Sequence, residues 1–598
     1  MKSLYLLSLT IVWLTLPSAL LAAPEHPRLL VTAADWKKLP ARMEADPRVK
    51  KIISATIARA DLTLRKPLLT YKREGRRILT VSRDAIERVL DLSTAWKVTG
   101  EKKYLDRCRD EMLAISKFKD WNPDHHLDTA EMQTALAIGY DWLFQDLTEA
   151  DKKIITTALL EKGLKSTLAQ KKIMSWHNNW NQVCMGGLVL SAIALSDLEP
   201  ELSSKAIEAA TQAIPKGLSV GYPADGAYSE GGGYWAYGTS YTILTIEALR
   251  TAKLPFDKIL THTGFLQSGN YVRQVHGTSD LLFSYGDNRP GTFDFSAAMT
   301  WMAKQNQSQA LSDFIAPTFD QIDSETHDRF LALSAFWLPE KTDPKEKPLP
   351  NHFVGSGLSP IAIHRTGFEA KDLFLGIKAG QANVSHGHMD AGSFVIDWAG
   401  KRWASDLGVQ SYNGLESGGI NLFQMTQDSQ RWSVFRLNNF SHNTLTYNGQ
   451  LHQMDGKSEI ISSTGAPQNE TLVNLVSPLG LPKNATATRR FKMDTDKHII
   501  TITDSLTGLK PNDKITWNLL TPASSTPTDT GFFLTQDKAT MQLDLSSPQS
   551  TKPTSSPADP PPKPHDEPNP GITRIQLNAT ADKEGKIVIK AVLKAQEN

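Results

Sequence analysis

At 598 residues the chain is well above the usual size of one domain, so more than one hydrophobic core is expected. Its net charge of +1 comes without any basic or acidic block, which removes the electrostatic footing for a nucleic-acid partner. With only two cysteines, Cys108 and Cys184, a disulfide framework is excluded; both read as buried small apolar residues, with one bridge open but not favoured.

The N-terminus reads as an export signal over residues 1–22. A short basic start, Met1-Lys2, precedes a mostly apolar run over 4–21 and the small residues Ala22 and Ala23. A retained anchor is the alternative. No cysteine stands at the cleavage position for a lipid, and no second apolar run approaches ~20 residues. The expectation is a protein exported to the periplasm or the medium, with no stable membrane association after cleavage.

Residues 23–340 read as helical. "RDAIERVLDLSTAWKVTG" carries apolar residues at helical spacing and stops at Gly100. "TAEMQTALAIGYDWLF", "EADKKIITTALLEKGLKSTL", "VCMGGLVLSAIALSD", "SSKAIEAATQAIPKGL" and "TSYTILTIEALRTAKLP" follow, separated by loops rich in Trp, His, Asn and Gly. Successive amphipathic helices without a strict repeat suggest a toroid of helix pairs. The texture then changes. "DPKEKPLPNH" marks a linker over 341–350. From 351 to 598 come short alternating runs such as "SPIAIHR", "SFVIDWAG", "SHNTLTYNG" and "HIITITDSL", the pattern of an antiparallel β-sandwich. Within it, residues 546–571 are so rich in Pro and Ser that a mobile loop is expected.

Polar constellations stand out in both halves. In "SHGHMDAGSFVIDWAGKRWASDLG" a strand, a turn and a return run could bring His388 near Asp406, and "FSHNTLTYNG" offers His442. Two imidazoles and a carboxylate suit zinc; three strand-end polar residues in ordinary hydrogen bonds would look the same. His386 should splay away from His388 in an extended segment, free either to act as acid or base in a cleft or to face solvent. "WHNNWNQV" packs His177, Asn178, Asn179, Asn181 and Gln182 before an apolar helix. Such groups can hold a carboxylate or a developing oxyanion, though an Asn there also caps helices. "DGAYSEGGGYWAYG" supplies Tyr228, Glu230, Tyr234, Trp235 and Tyr237. These can stack on sugars and exchange protons, or pack as an aromatic loop. His125, His126, Asp287 and Arg289 line a cleft or fix loops. No GxSxG elbow, Walker loop, HExxH or CxxC framework is present.

Taken together, "EHPRLLVT", "WNPDHHLDTAEMQTALAIGYDWL", "HNNWNQVCMGG", "EGGGYWAYG", "SHGHMDAGSFVIDWAGKRWASDLG" and "SHNTL" resemble the heparinase II/III family of polysaccharide lyases, across nearly the whole chain. That resemblance implies an N-terminal (α/α) toroid followed by a C-terminal antiparallel β-sandwich, with the active site between them. It implies β-elimination on a uronic-acid-containing polysaccharide, giving products with a C4=C5 double bond. It places His177 and the neighbouring Asn178 and Asn179 at the uronate carboxylate, Tyr234 as acid and as base for one epimer, and His386 as the other base. It matches His388, Asp406 and His442 to a structural zinc site. Tyr228 and Tyr237 rival Tyr234 by position. Glu230, Trp235, Tyr237, Arg289, Arg431 and Arg436 are the expected substrate contacts.

The expected partner is an anionic polysaccharide or oligosaccharide. Heparin, heparan sulfate or another glycosaminoglycan is favoured and alginate is the alternative; no dense Arg/Lys cluster argues for heparin itself. A homodimer is left open. Two other readings stand beside the lyase: a glycoside hydrolase using Glu230 and Asp287, and a non-catalytic glycan-binding protein.

Overall fold

The computed structural model of the chain describes residues 24–291 and 296–596. The export signal expected at 1–22 lies outside the described residues. Among these, no helix is long and apolar enough to cross a membrane. Helices fill the chain as far as Leu331–Trp337, and strands begin at His352–Gly355, so the expected linker falls between the two textures.

Burial sorts the helices into two kinds. His126–Trp142 is buried along its whole length, and Asn179–Ala194 and Gly232–Thr251 nearly so. Helices without a polar face belong inside a fold. Pro47–Arg65, Lys102–Ser116 and Pro200–Gly221 instead bury one stripe each, for example Tyr104, Cys108, Met112 and Ile115. The inner helices pack on one another in succession, and the amphipathic ones pack outside them. This is the inner and outer layering of an (α/α) toroid. Both cysteines are free and buried in it.

The toroid rests on a five-stranded antiparallel sheet: β1 (His352–Gly355), β2 (Ile361–Arg365), β3 (Phe374–Lys378), β4 (Phe394–Trp398) and β5 (Lys401–Ala404), in that order. Alternate side chains of a strand point to opposite faces. Accordingly Ile361, Ile363, Phe374 and Val395 enter the helical core, while Ala362, Leu375, Ile377, Phe394 and Ile396 enter a second core. Burial on both faces explains why β2, β3 and β4 have no polar-out alternation. The second core is closed by an eight-stranded and a four-stranded sheet, both antiparallel. One side of the sandwich therefore serves as the floor of the toroid.

Residues 546–571 depart from the expected mobile loop. Thr554–Pro557 pairs with Thr573–Thr580 as an edge strand, a place where proline costs no ladder bond. Asp566 accepts from the Phe435 amide at 2.8 Å, and Gln410 donates to the His565 carbonyl at 2.7 Å. Composition forbids this segment a core of its own, but it is held down through its polar atoms.

Candidate active site

Two connections meet where the toroid faces the sandwich. The toroid contributes 284–290 and the sandwich contributes the residues between β3 and β4. They are joined backbone to backbone, the Asp287 amide donating to the His386 carbonyl at 2.9 Å. Gly286 sits at φ +61°, and a Cβ there would lie 2.6 Å from that carbonyl oxygen, so the approach requires glycine. His386 itself adopts φ 61°, an uncommon choice for a residue with a side chain, and rather than splaying apart, His386 and His388 both reach Asp287.

Asp287 is the hub. Its Oδ1 accepts from His388 Nε2 and Arg431 Nη2, each at 2.9 Å. Its Oδ2 accepts from the Tyr412 hydroxyl at 2.6 Å and lies 3.0 Å from His386 Nδ1. Burial alone would raise this carboxyl; Arg431 first, then the two imidazoles, outweigh it and hold the group well below the usual range.

The His386 ring lies flat on the Tyr234 ring, with centroids 3.8 Å apart and planes 16° from parallel. The Tyr234 and Tyr412 hydroxyls are 2.9 Å apart. Since the Tyr412 proton goes to Asp287, Tyr234 donates to Tyr412. Burial first, then the charge of Asp287, pushes the Tyr234 phenol up, so it keeps its proton. On the far side of His386, Nε2 lies 3.7 Å from Glu230 Oε1, a buried oxygen with no hydrogen-bond partner. Glu230 Oε2 is held by the Asn179 amide and side chain, both at 3.1 Å. The His386 imidazole thus lies between two carboxylates, Asp287 beside Nδ1 and Glu230 beside Nε2. The cluster opens into a cavity of about 350 Å³ lined by Tyr234, Tyr237, Asn288, Arg83, Arg289 and Arg329.

The expected residues divide accordingly. Tyr234 and His386 are brought together, Glu230 lies buried beside His386, and Tyr237 and Arg289 line the same cleft as Tyr234. His177 is exposed, and no hydrogen bond, ion pair or ring contact joins it to the cluster. Asn178 caps its helix, accepting from the Trp180 amide at 3.2 Å. Tyr228 is buried, its hydroxyl 3.0 Å from Gln182 Oε1 and 3.3 Å from Glu230 Oε2, and Trp235 is buried, donating to Ser268 at 2.8 Å. Arg431 is wholly buried on Asp287 and the Gly387 carbonyl. Arg436 is bound to Asn569 at 2.9 Å and to Glu567 at 3.3 Å. Neither of these two arginines is a substrate contact in this geometry. His125 and His126 are buried inside the toroid.

Residues 357–577 match the family model described as "Heparinase II/III-like, C-terminal". This part of the chain is a heparinase II/III-like domain. His386, His388, Asp406, Tyr412, Arg431, Arg436 and His442 all stand on the heparinase II/III-like domain, whereas Tyr234, Glu230 and Asp287 come from the toroid. Comparison with curated proteins finds no match. Among solved structures, a heparinase III gene product is similar, with TM-score 0.62 and 13% identity over 90% of this chain and 83% of that one. A second heparinase III structure gives TM-score 0.59 at 12% identity, covering 85% and 76%. The heparan sulfate lyase HepC from Pedobacter heparinus gives 0.55 at 12%, covering 91% and 83%. At such identities the likeness establishes the shared architecture, helices followed by antiparallel sheets.

The zinc expectation meets a mixed geometry. His442 Nδ1 lies 2.8 Å from Asp406 Oδ2, and the His388 and His442 rings are 5.3 Å apart. His388 Nδ1 and His442 Nε2 are buried without partners, which fits two imidazole ligands. Asp406, however, is engaged with the other nitrogen of His442 and with the Gly408 amide, the place of a carboxylate that orients a ligand. Among the described residues no three His, Cys, Asp or Glu side chains are grouped to hold a metal ion.

Tyr412, Arg83, Arg329 and Glu131 carry no distinctive signal in the sequence. Tyr412 sits in "QSYNGLESGG", which resembles any turn before a short helix. Arg83 and Glu131 look like helix-face charges, and only folding turns them to one cleft.

Proposed function

We propose that this chain is a lyase that cleaves a uronic-acid-containing glycosaminoglycan, heparan sulfate or a relative, by β-elimination. The observation that carries the reading is the Tyr234–His386 ring stack, with the protonated Tyr234 phenol lining the cleft and the imidazole packed flat against it. β-Elimination needs such a pair: a base for the C5 proton and an acid for the O4 leaving oxygen. His386 Nε2 serves as base and the Tyr234 hydroxyl as acid. The heparinase II/III-like domain and the names of the structural relatives support the same class.

A glycoside hydrolase needs one carboxyl held up as the acid and another free to attack or activate water. Asp287 has both oxygens occupied and is held down, so it fits neither role.

Export from the cell and a structural zinc between His388 and His442 belong to the same reading. The zinc is supported by the two unpartnered buried nitrogens. It would brace the segment that carries His386 and supply no chemistry of its own.

Ultraviolet absorbance during incubation with heparin, heparan sulfate, chondroitin sulfate, hyaluronan and alginate tests the reaction. The conjugated C4=C5 product absorbs, and its appearance on a glycosaminoglycan, lost in Tyr234→Phe, is the expected result. New reducing ends without absorbance would overturn it.

A further inference from the structure

Tyr237 lies three residues beyond Tyr234 on Gly232–Thr251, so the two share a helix face one turn apart. Two guanidinium groups stack against its ring, Arg83 at 4.9 Å and Arg329 at 5.4 Å from the centroid. Its hydroxyl donates to Glu131 Oε1 at 2.8 Å. Glu131, fully buried on the inner helix His126–Trp142, also takes Arg83 Nε at 3.3 Å, while its Oε2 lies 3.6 Å from Arg329 Nε. One carboxylate thus orients two cations by their Nε edges. Neither guanidinium makes a hydrogen bond or ion pair with any described residue besides Glu131 and Tyr237, and the buried Arg329 Nε has no hydrogen bond. Both arginines line the cavity that Tyr234 lines. The local balance is two positive charges against one negative.

We propose that Arg83 and Arg329 form an oxyanion subsite that receives a carboxylate or sulfate of the glycan and sets the sugar against Tyr234. Guanidinium forks match the paired oxygens of either group, and a half-buried pair with unfilled donors binds them more strongly than surface lysines would. The subsite also fills a gap in the chemistry. Elimination requires the uronate carboxylate to be neutralised as charge builds on it, and His177, expected to contribute, stands outside the cluster. The identity of the ligand rests on the lyase reading of the same cleft.

The test is equilibrium binding of two polymers, unsulfated heparosan and heparan sulfate, in a Tyr234→Phe background that blocks turnover. Arg83→Gln and Arg329→Gln are added singly, so that Glu131 keeps one cation, and melting temperature checks the fold. Arg83→Lys keeps the charge and loses the fork. Each Gln variant is expected to weaken binding about tenfold, with Lys between, as for loss of a charge-assisted pair. Equal weakening on both polymers assigns the carboxylate; weakening on heparan sulfate alone assigns the sulfate. Unchanged affinity for both, or no binding of either by the parent, overturns the subsite. If the arginine variants lose binding but the chain with Tyr234 intact forms no unsaturated product, the subsite stands and the lyase reading falls.

Discussion

Tyr412, from the sandwich, donates to Asp287, from the toroid, at 2.6 Å, and the same phenol oxygen receives the proton of Tyr234. The proposed acid is thereby tied to the carboxylate that also orients the proposed base. Tyr412→Phe removes both hydrogen bonds, and the 3.1 Å contact of the same hydroxyl with His386 Nδ1, while leaving the ring in place. Product formation is expected to fall by about 10–100-fold, within the range for general acid–base help, with KM little changed. An unaltered kcat would show that Tyr412 does not position Tyr234.

Tyr234→Phe deletes the acid itself. Loss of about 10²–10⁴ in rate is expected, with the melting temperature kept, because the half-buried ring and its stack on His386 remain. Activity close to the parent would transfer the role to another group in the cleft.

Arg431 is the largest influence holding the buried Asp287 ionised. Arg431→Met leaves that carboxylate without its cation, and a loss of about 3–5 kcal/mol in stability is expected. The double variant Arg431→Met/Asp287→Asn should recover part of it, since no uncompensated charge remains. Denaturant unfolding of the single and double variants measures the coupling, and strict additivity would contradict the pairing.

Stability should decline in mild acid. Burial lowers His126 to about 4, His276 to about 3 and His364 to about 3, from 6.5. Above pH 6.5 these rings are neutral in both states and their contribution is constant. As pH falls below that value the unfolded chain takes up protons and the folded one does not, so stability drops until the folded values are reached. A tenfold change in a protonation equilibrium corresponds to about 1.4 kcal/mol, so the loss spans several kcal/mol between about pH 6.5 and 4. Melting temperatures over this window check it, and His364→Gln, which can still bond Thr471, should flatten the slope. A level profile would refute the assignment.

Should zinc be held as proposed, the purified protein will contain about one metal per chain, and a chelator will lower its melting temperature. His442→Ala should lose both the metal and the response. Metal analysis that finds none, with no effect of chelation, would rule zinc out.

Composition and periodicity by themselves determined the large features. Apolar residues at helical spacing up to 340, then short alternating runs, are local signals, and helices and strands form from local patterns. The motif "SHGHMDAGSF" was legible for the same reason: dense, chemically unusual residues stand out within one short window. What only the tertiary structure decided depends on residues far apart in the chain. Asp287 gathers His386, His388, Tyr412 and Arg431 from 99 to 144 residues away. Arg83, Glu131, Tyr237 and Arg329 meet at one cleft from four separate segments. No spacing rule spans such distances. His177, conspicuous in sequence, stands exposed beside the helix-capping Asn178, and Arg436 is bound to the Pro-rich segment, because loop anchoring claims polar residues as readily as catalysis does.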